Sequence, residues 1–366
     1  MHPGDLVDNR FEILRSAGSG GMGVVYRAHD RSTGSDVALK VLLEQEGKLA
    51  DRFEHEIQLL SAIQHPHIVG YVTHGTNAAG APYLVMPWLD GHDLQERLRG
   101  GPLSVEETVR LARHVADALA CLHGKRLVHR DLKPSNLFLP GGRIDDVQVI
   151  DLGIARATVP ERPLTLSGAL VGTPGFLAPE VALGDAEISP TVDIFALGCV
   201  LFECLTGQRL FRGSHLMAVL AKILVEEAPR VRDIRRDVPE ELDRLVQRMV
   251  AKDPGLRPRD GAQLVEWLGD ITRGSLRLTQ PSITTTERRV VSALVIVLPP
   301  SRVPEQGERS GIDTLRAAAR FVVRVQVLDR WTAIALAFDG LDAADQASVL
   351  ARFGRHIQTK FPGATL

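Results

Sequence analysis

The chain has 366 residues, of which 44% are hydrophobic and 24% are charged, and its formal net charge is -2 at pH 7. These values are ordinary for soluble globular protein, and the length predicts two or three domains rather than one core. They exclude extensive disorder, and they give no basic surface for nucleic acid or an anionic membrane.

Cysteine usage and the N-terminus bear on the compartment. Cys121, Cys199 and Cys204 lie in apolar runs and form no C-x-x-C pair, which predicts buried thiols without structural zinc or disulfides. The N-terminus lacks the basic-then-apolar order of a secretion signal, and no apolar run reaches the roughly 18 residues of a membrane span. We therefore expect a cytoplasmic protein with no membrane partner.

The first part of the chain predicts a small antiparallel lobe over residues 8–88. Residues 10–40 alternate between apolar and polar side chains and are punctuated by glycine, as in strands joined by tight turns. Residues 48–64 have helical spacing, and residues 71–89 predict two more strands around a Gly/Asn/Pro turn. The lobe should therefore consist of one sheet and one helix.

A helical lobe is predicted over residues 89–272. Ser104 followed by Glu107 has the spacing of a capping box at a helix start. The run 193–207 is apolar almost all round, which predicts a buried central helix.

Beyond this lobe, residues 273–288 lose the apolar periodicity and gain Ser and Thr, as a linker does. Residues 289–366 then predict a small α/β domain. Its expected elements are a strand at 290–298, a helix at 311–324, a strand at 331–338 and a helix at 342–358.

The first motif with chemical meaning is "GSGGMGVVY", in which Gly18, Gly20 and Gly23 have G-x-G-x-x-G spacing. Without Cβ atoms, backbone N–H groups can approach phosphate oxygens. A hairpin without a ligand and a dinucleotide site are alternatives, but a dinucleotide site expects a helix directly after the glycines. Because the following residues continue as a strand, we predict a flap over a nucleotide.

Charged residues follow in two places. Lys40 ends "VALK", where a lysine is usually solvated, but Glu56 on the next helix could hold its ammonium against phosphates. Glu56 is preferred over Glu54 because its neighbours are apolar. "LVHRDLKPSNLFL", residues 127–139, then sets charged side chains among apolar ones, and isolated charges taken from water cost several kcal/mol unless they are paired or used.

Five motifs in this order resemble the protein-kinase signature set: G-S-G-G-M-G-V-V, V-A-L-K, H-R-D-L-K-P-S-N, D-L-G at 151–153 and A-P-E at 178–180. The resemblance covers about residues 8–272 and is strongest for the bacterial eukaryotic-like (Hanks-type) Ser/Thr kinases. It implies a bilobal α+β fold, ATP as phosphate donor, Mg²⁺ or Mn²⁺ as metal, and protein substrates with Ser/Thr acceptors. The small C-terminal α/β domain would follow this fold.

The resemblance assigns roles to particular residues. Asp131 would accept the proton of the substrate hydroxyl, Lys133 would contact the γ-phosphate, and Lys40 with Glu56 would hold the other phosphates. Asn136 and Asp151 would bind Mg²⁺, which prefers oxygen ligands. The nucleotide-binding set is Gly18, Ser19, Gly20, Gly21, Met22, Gly23, Val25, Ala38, Lys40, Met86, Pro87, Leu89, Asp93 and Leu137.

Regulation and bracing are implied in the same way. Thr165 and Ser167 stand where related kinases are autophosphorylated, and the Arg130 guanidinium can pair with a phosphate. Structural roles are expected for the side chains of His129, Asp193, Glu180 and Arg257: a packed histidine, a brace of the catalytic loop, and a buried ion pair.

Alternatives remain open. A pseudokinase scaffold that binds nucleotide without phosphate transfer has the same motifs. The C-terminal residues faintly resemble the start of a class III nucleotide-cyclase-like domain, but the position of its first metal-binding aspartate reads "LPPSRVPE". A catalytically inactive interaction module or a truncated remnant is therefore expected there, with a regulatory α/β cap of unrelated ancestry as the alternative. Homodimers through the small lobe are implied by the kinase resemblance.

Overall fold

The structure is a computed structural model that describes residues 1–20, 23–42, 57, 61–151, 174–183, 188–213, 216–272, 293–297, 323–327 and 332–337. The described chain divides into two compact units. The first contains the elements up to residue 272, and the second contains the strands after residue 292.

The first sheet has six antiparallel strands in the order β1-β2-β3-β4-β6-β5. Its strands are Leu6–Val7, Phe11–Gly20, Gly23–Asp30, Ser35–Leu42, Thr73–Thr76 and Pro82–Pro87, numbered β1 to β6 in chain order. One face packs a core that includes Phe11, Tyr26, Leu39 and Tyr83. The predicted alternation and the predicted antiparallel sheet are therefore confirmed.

Because side chains alternate along a strand, the residues between these core positions lie on the opposite face. Val25 pairs with Lys40, and Ala38 pairs with Met86, so these four positions share that face. Ile57 is buried there with Leu84. Lys40 lies within β4 rather than at its end as predicted.

Helices dominate the rest of the first unit. They are Leu94–Arg99, Val105–Gly124, Pro179–Ala182, Thr191–Thr206, Leu216–Val225, Val231–Ile234, Glu240–Met249 and Gly261–Thr272, numbered α1 to α8. The predicted capping box is present at α2: the Ser104 hydroxyl accepts from the Glu107 backbone at 3.0 Å, and the Glu107 carboxylate accepts from the Ser104 backbone at 2.8 Å. α4 is buried along nearly its whole length, as its composition predicts.

A second, three-stranded sheet of Gly91–Asp93 (β7), Leu137–Pro140 (β8) and Gln148–Val149 (β9) follows the first sheet. The segment before β5 attaches to it: the Val149 N–H donates to the His67 carbonyl at 2.9 Å, and the Val69 N–H donates to the Val149 carbonyl at 3.0 Å. These hydrogen bonds join the sheet-rich part to the helical part next to β8.

The second unit contains an antiparallel sheet in the order β10-β12-β11. Its strands are Ala293–Val297, Val323–Val327 and Thr332–Ala337. The first and third match predicted strands, whereas Val323–Val327 was not predicted, and the helix expected at 311–324 overlaps it by two residues. The alternation of Val323, Val325 and Val327 is the strand signal that the longer helical pattern obscured.

None of the helices in the described part of the chain combines the length and the apolar character needed to cross a bilayer.

Candidate active site

The glycine motif forms the end of the β2–β3 hairpin. Gly18 pairs with Val25, Ser19 with Val24, and Gly20 with Gly23. The strand continues directly after Gly23, as the flap prediction requires, and no helix follows there. A Cβ on Gly23, whose φ is 156°, would lie 2.2 Å from the Val41 carbonyl oxygen, so only glycine fits this close approach.

Lys40 reaches the residue that begins the D-L-G motif. Its buried ammonium forms an ion pair with the Asp151 carboxylate, although the two residues are 111 positions apart. Asp151 has φ 60°, a left-handed backbone conformation that is uncommon outside glycine and that often marks functional sites. The sheet face and the helical part of the first unit therefore meet at these two side chains.

Asp131 lies in a short turn whose polar groups bond to one another. Lys133 Nζ donates to Asp131 Oδ2 at 2.8 Å. Asn136 Nδ2 donates to the Asp131 carbonyl at 2.8 Å and to its Oδ2 at 3.2 Å. The Ile150 N–H donates to the Asn136 carbonyl at 2.9 Å, which sets Asp151 next to this turn.

The buried side chain of His129 also fixes this turn. The Asp131 N–H donates to His129 Nδ1 at 3.2 Å, so that nitrogen accepts, and Nε2 can donate to the Ile150 carbonyl at 3.1 Å. Both ring nitrogens are therefore used in packing the turn. This agrees with the prediction that His129 is structural rather than a base.

Asp193 in α4 braces the same turn. Its carboxylate accepts from the backbone N–H groups of His129 at 2.7 Å and Arg130 at 2.8 Å, as predicted. A third partner, which was not predicted from the sequence, is His123, whose Nε2 lies 3.0 Å from Asp193 Oδ2. His123 Nδ1 in turn accepts from the Gly261 N–H at 3.0 Å. A histidine in the last turn of a long apolar-faced helix was the available signal.

Three of the residues predicted to surround adenine lie on the sheet face that carries Lys40. Val25 and Ala38 share the sheet face with Lys40, and Met86 is the penultimate residue of β6. Leu137 is fully buried at the start of β8. Pro87, which ends β6, and Leu89 belong to the segment 87–89, which we call the hinge segment.

Asp93, the predicted ribose ligand, caps α1. Its Oδ1 accepts from the Glu96 N–H at 2.8 Å. Since a carboxylate carries two oxygens with several acceptor positions, this cap leaves capacity for a further donor.

The donor set at Asn136 and Asp151 fits a hard divalent cation, because an amide oxygen and a carboxylate are oxygen ligands. Asn136 Nδ2 donates to the Asp131 carbonyl and to Asp131 Oδ2, so the oxygen Oδ1 of Asn136 is the amide atom that could bind a cation. The types of the two side chains therefore fit the predicted ion.

A buried ion pair supports the helical part. Arg257 donates to Glu180 through Nη1 at 2.7 Å and Nη2 at 2.9 Å, as predicted, and its Nε donates to the Ala251 carbonyl at 2.7 Å.

Several other predicted residues lie outside the described part of the chain. These are Gly21, Met22, Glu56, Thr165 and Ser167.

Comparison with known families and proteins agrees with this geometry. The family model described as the protein kinase domain matches residues 11–266. The chain is 36% identical over 281 residues to the serine/threonine-protein kinase pkn2 of Myxococcus xanthus, covering 73% of this chain and 33% of the relative. It is 33% identical over 255 residues to PrkC of Bacillus subtilis, covering 69% and 39%.

The chain thus spans about a third to two fifths of the length of these relatives. Among solved structures, the PknI kinase domain of Mycobacterium tuberculosis superposes with a TM-score of 0.58 at 22% identity, covering 74% of this chain and 98% of that one. Rad53 bound to AMP-PNP superposes with a TM-score of 0.60 at 24% identity, covering 71% and 65%. These similarities support the fold. With the family match over most of its length, the chain belongs to the protein kinase family.

Proposed function

We propose that this chain is an ATP-dependent serine/threonine protein kinase of the non-specific class, which transfers the γ-phosphate of Mg-ATP to Ser/Thr hydroxyls. The observation that carries the proposal is the convergence of the Lys40–Asp151 ion pair with the hydrogen-bonded group of Asp131, Lys133 and Asn136. Phosphoryl transfer depends mainly on positioning and charge neutralisation, and this group offers both.

In the proposed mechanism, Asp131 accepts the hydroxyl proton as the substrate oxygen bonds to the γ-phosphorus and the bond to the β-phosphate oxygen breaks. Lys133 accompanies the transferred phosphate, since its ammonium already lies beside Asp131. Lys40 exchanges Asp151 for the α and β phosphates. A magnesium ion, held by Asn136 and Asp151, would neutralise phosphate charge, with manganese as an alternative.

Replacing the proposed base tests this function. Asp131→Asn should lower phosphate incorporation from Mg-ATP into a generic basic protein by at least about a hundredfold, the usual contribution of a general base. The dissociation constant for Mg-ATP should change little, because Asp131 faces the acceptor hydroxyl. The matched control is Asp145→Asn, a carboxylate that pairs with Arg110 at 3.2 Å and with His114 at 3.7 Å and is not part of the proposed site, so the variant should transfer phosphate like the parent.

The same assay addresses the pseudokinase scaffold. A parent protein that binds Mg-ATP but incorporates no phosphate, and that Asp131→Asn does not change, would replace the kinase proposal with the scaffold. Formation of cyclic nucleotide from ATP or GTP would instead favour the cyclase alternative.

Regulation is a further proposal of the resemblance. Autophosphorylation at Thr165 or Ser167 would place a phosphate group that Arg130 could bind. Two copies would pair through the small lobe, and each would phosphorylate the other. Mass spectrometry of the parent and of Asp131→Asn after expression would show the modified residues. Sedimentation with and without Mg-ATP would report the pairing.

The domain organisation is proposed as a kinase domain at 8–272, a linker at 273–288 and a small α/β domain at 289–366. The matched family ends at residue 266, and the comparisons give the cyclase-like interpretation of the last domain no support. The β10–β12 sheet fits an α/β domain, and we propose a non-catalytic interaction role for it.

A further inference from the structure

Two arginines face each other across the strands that lead to the glycine hairpin. Arg15 in β2 is directly paired with Arg27 in β3. Like charges at directly opposite positions destabilise a sheet unless another group compensates for them. Asp36 provides part of that compensation, because its Oδ2 accepts from Arg27 Nε at 2.7 Å.

Trp88 in the hinge segment provides the rest. The Arg27 guanidinium carbon lies 4.9 Å from the centre of the Trp88 ring, and that of Arg15 lies 5.4 Å from it. Both values are within the roughly 6 Å at which a cation is attracted to an aromatic face. The indole is itself fixed, since Nε1 donates to Asp90 Oδ1 at 2.9 Å.

The backbone also ties Trp88 to the sheet, through its N–H and the Asp36 carbonyl at 3.3 Å. Trp88 is therefore held by a hydrogen bond on its ring, by another on its backbone, and by the two cations. Among the described residues, Arg15 contacts the ring and, at 3.4 Å, the Ser16 carbonyl.

The strand that carries Arg15 needs such a tie. Its pairing with β3 shifts register between Ile13 and Arg15 and again between Ser16 and Gly18. Each shift interrupts the regular ladder, so backbone hydrogen bonding holds this stretch less evenly than the rest of the sheet. Arg15 lies between the two shifts and three residues before Gly18.

We propose that Trp88, acting through Arg15 and Arg27, is a positioning residue that holds the end of β2 and the glycine hairpin in register with the hinge segment. Because these contacts restrict the hairpin before a nucleotide binds, less conformational entropy is lost on binding, and nucleotide affinity is higher. The effect on nucleotide rests on the proposed function, whereas the effect on β2 does not.

Hydrogen exchange of the nucleotide-free full chain tests the effect on β2. Arg15→Gln and Trp88→Leu should each speed exchange of the amides of residues 15–20 by about two- to fivefold, the range of a cation–aromatic contact at an exposed site. Arg31→Gln is the matched control. It removes the same charge from the turn that follows β3, but Arg31 pairs with Glu12 at 3.0 Å and should leave these amides unchanged.

A double-mutant cycle gives the coupling. If the two side chains act through each other, the Arg15→Gln/Trp88→Leu protein should exchange no faster than the faster single variant. Arg15 is exposed, so its variant folds even where Trp88→Leu does not, and Trp88→Phe should retain part of the effect because its ring still attracts the cations.

Nucleotide binding gives the functional readout. Both single variants should raise the dissociation constant and the KM for Mg-ATP by about two- to fivefold, with kcat within about twofold of the parent. A variant that is only destabilised would lose kcat through its unfolded fraction and leave KM unchanged.

Exchange at residues 15–20 that is the same in Arg15→Gln, Trp88→Leu and the control would overturn the proposal, as would additive effects in the double variant. A parent that binds no Mg-ATP would instead contradict the proposed function. Because exchange is measured without nucleotide, it still decides whether Trp88 holds β2.

Discussion

Asp193 is the residue that braces the turn around Asp131 most directly. It is buried in α4, and its two oxygens accept from two backbone N–H groups and from His123. Hydrogen bonds to a buried charged acceptor are among the stronger ones in proteins. The backbone N–H groups of His129 and Arg130 are therefore both held by a single carboxylate.

Asp193→Asn should lower the free energy of unfolding by about 2 to 3 kcal/mol, because the new amide group points a donor at donors. Phosphate transfer should fall at least tenfold in protein that remains folded. Urea unfolding and the transfer assay measure the two effects. Asp117→Asn is the control, since this exposed carboxylate contacts only His65 among the described residues; an equal loss there would contradict the prediction.

The pair of Glu180 and Arg257 is also testable. Glu180→Gln leaves a buried guanidinium without its counter-charge, so the free energy of unfolding should fall by about 3 to 5 kcal/mol. Glu12→Gln, which breaks the exposed pair with Arg31, should change it by less than about 1 kcal/mol. Similar losses for the two variants, measured by urea unfolding, would show that burial does not set the cost.

Sequence motifs located the turn around Asp131 well, because the chemistry restricts which residue types can stand at a given spacing. The kinase resemblance implied the Asp193 brace and the Glu180–Arg257 pair, and both are present. Neither the motifs nor the resemblance pointed to His123, since a histidine on an apolar helix face looks the same whether or not a carboxylate lies opposite. Trp88 was also missed as a cation partner, because Arg15 and Arg27 approach it only once the strands are in register.

At the scale of single elements, α2 shows how local sequence sets a boundary. The Ser104–Glu107 capping box satisfies backbone N–H groups that have no partner inside the helix. The Ser104 backbone hydrogen bond also lowers the pKa of the Glu107 carboxyl below its usual 4.5. The box is therefore formed with an ionised glutamate at neutral pH.

Ser104→Ala should lower the free energy of unfolding by about 1 kcal/mol. Glu107→Gln, which keeps an acceptor in the box, is the conservative control and should cost less at pH 7. Since the folded-state pKa is lowered, the contribution of the carboxylate is present above pH 4.5 and is lost as the pH falls below it. The difference in unfolding free energy between Glu107→Gln and the parent, measured by urea titration, should therefore be smaller at pH 4 than at pH 7.

Element prediction succeeded where the pattern was long and failed where it was short. The β2–β4 strands alternate clearly and α4 is one long apolar run, whereas β7 and β9 have three and two residues and exist through pairing with β8. Strand β11 was hidden by an adjacent helical pattern. Short strands are set by their neighbours in the sheet, which a single-sequence pattern does not contain.

At the scale of the whole first unit, a histidine cluster lies where the sheet-rich part joins the helical part. The rings of His67 and His114 are 4.2 Å apart, and those of His65 and His67 are 5.8 Å apart. His65 lies 3.1 Å from Asp117, and His114 lies 3.7 Å from Asp145. Burial lowers the pKa of His114, and the neighbouring His67 lowers it further, against the opposing effect of the two carboxylates.

This cluster predicts acid sensitivity. Because the His114 pKa is lower in the folded chain than the ordinary 6.5, the unfolded chain binds more protons below that pH. The free energy of unfolding should then decrease as the pH is lowered from 7.5 to 5.5, and this decrease should be smaller in His114→Gln. His2→Gln, at an exposed position, should keep the dependence of the parent. An unchanged dependence in His114→Gln would refute the assignment.

Gly261 connects the start of α8 to the turn around Asp131. A Cβ there would lie 2.3 Å from the Ala120 nitrogen, so the start of α8 presses directly on the α2 backbone. From the Gly261 N–H, only His123 and Asp193 intervene before the backbone of His129. A substitution that displaces the start of α8 would therefore disturb the backbone beside Asp131 through three hydrogen bonds.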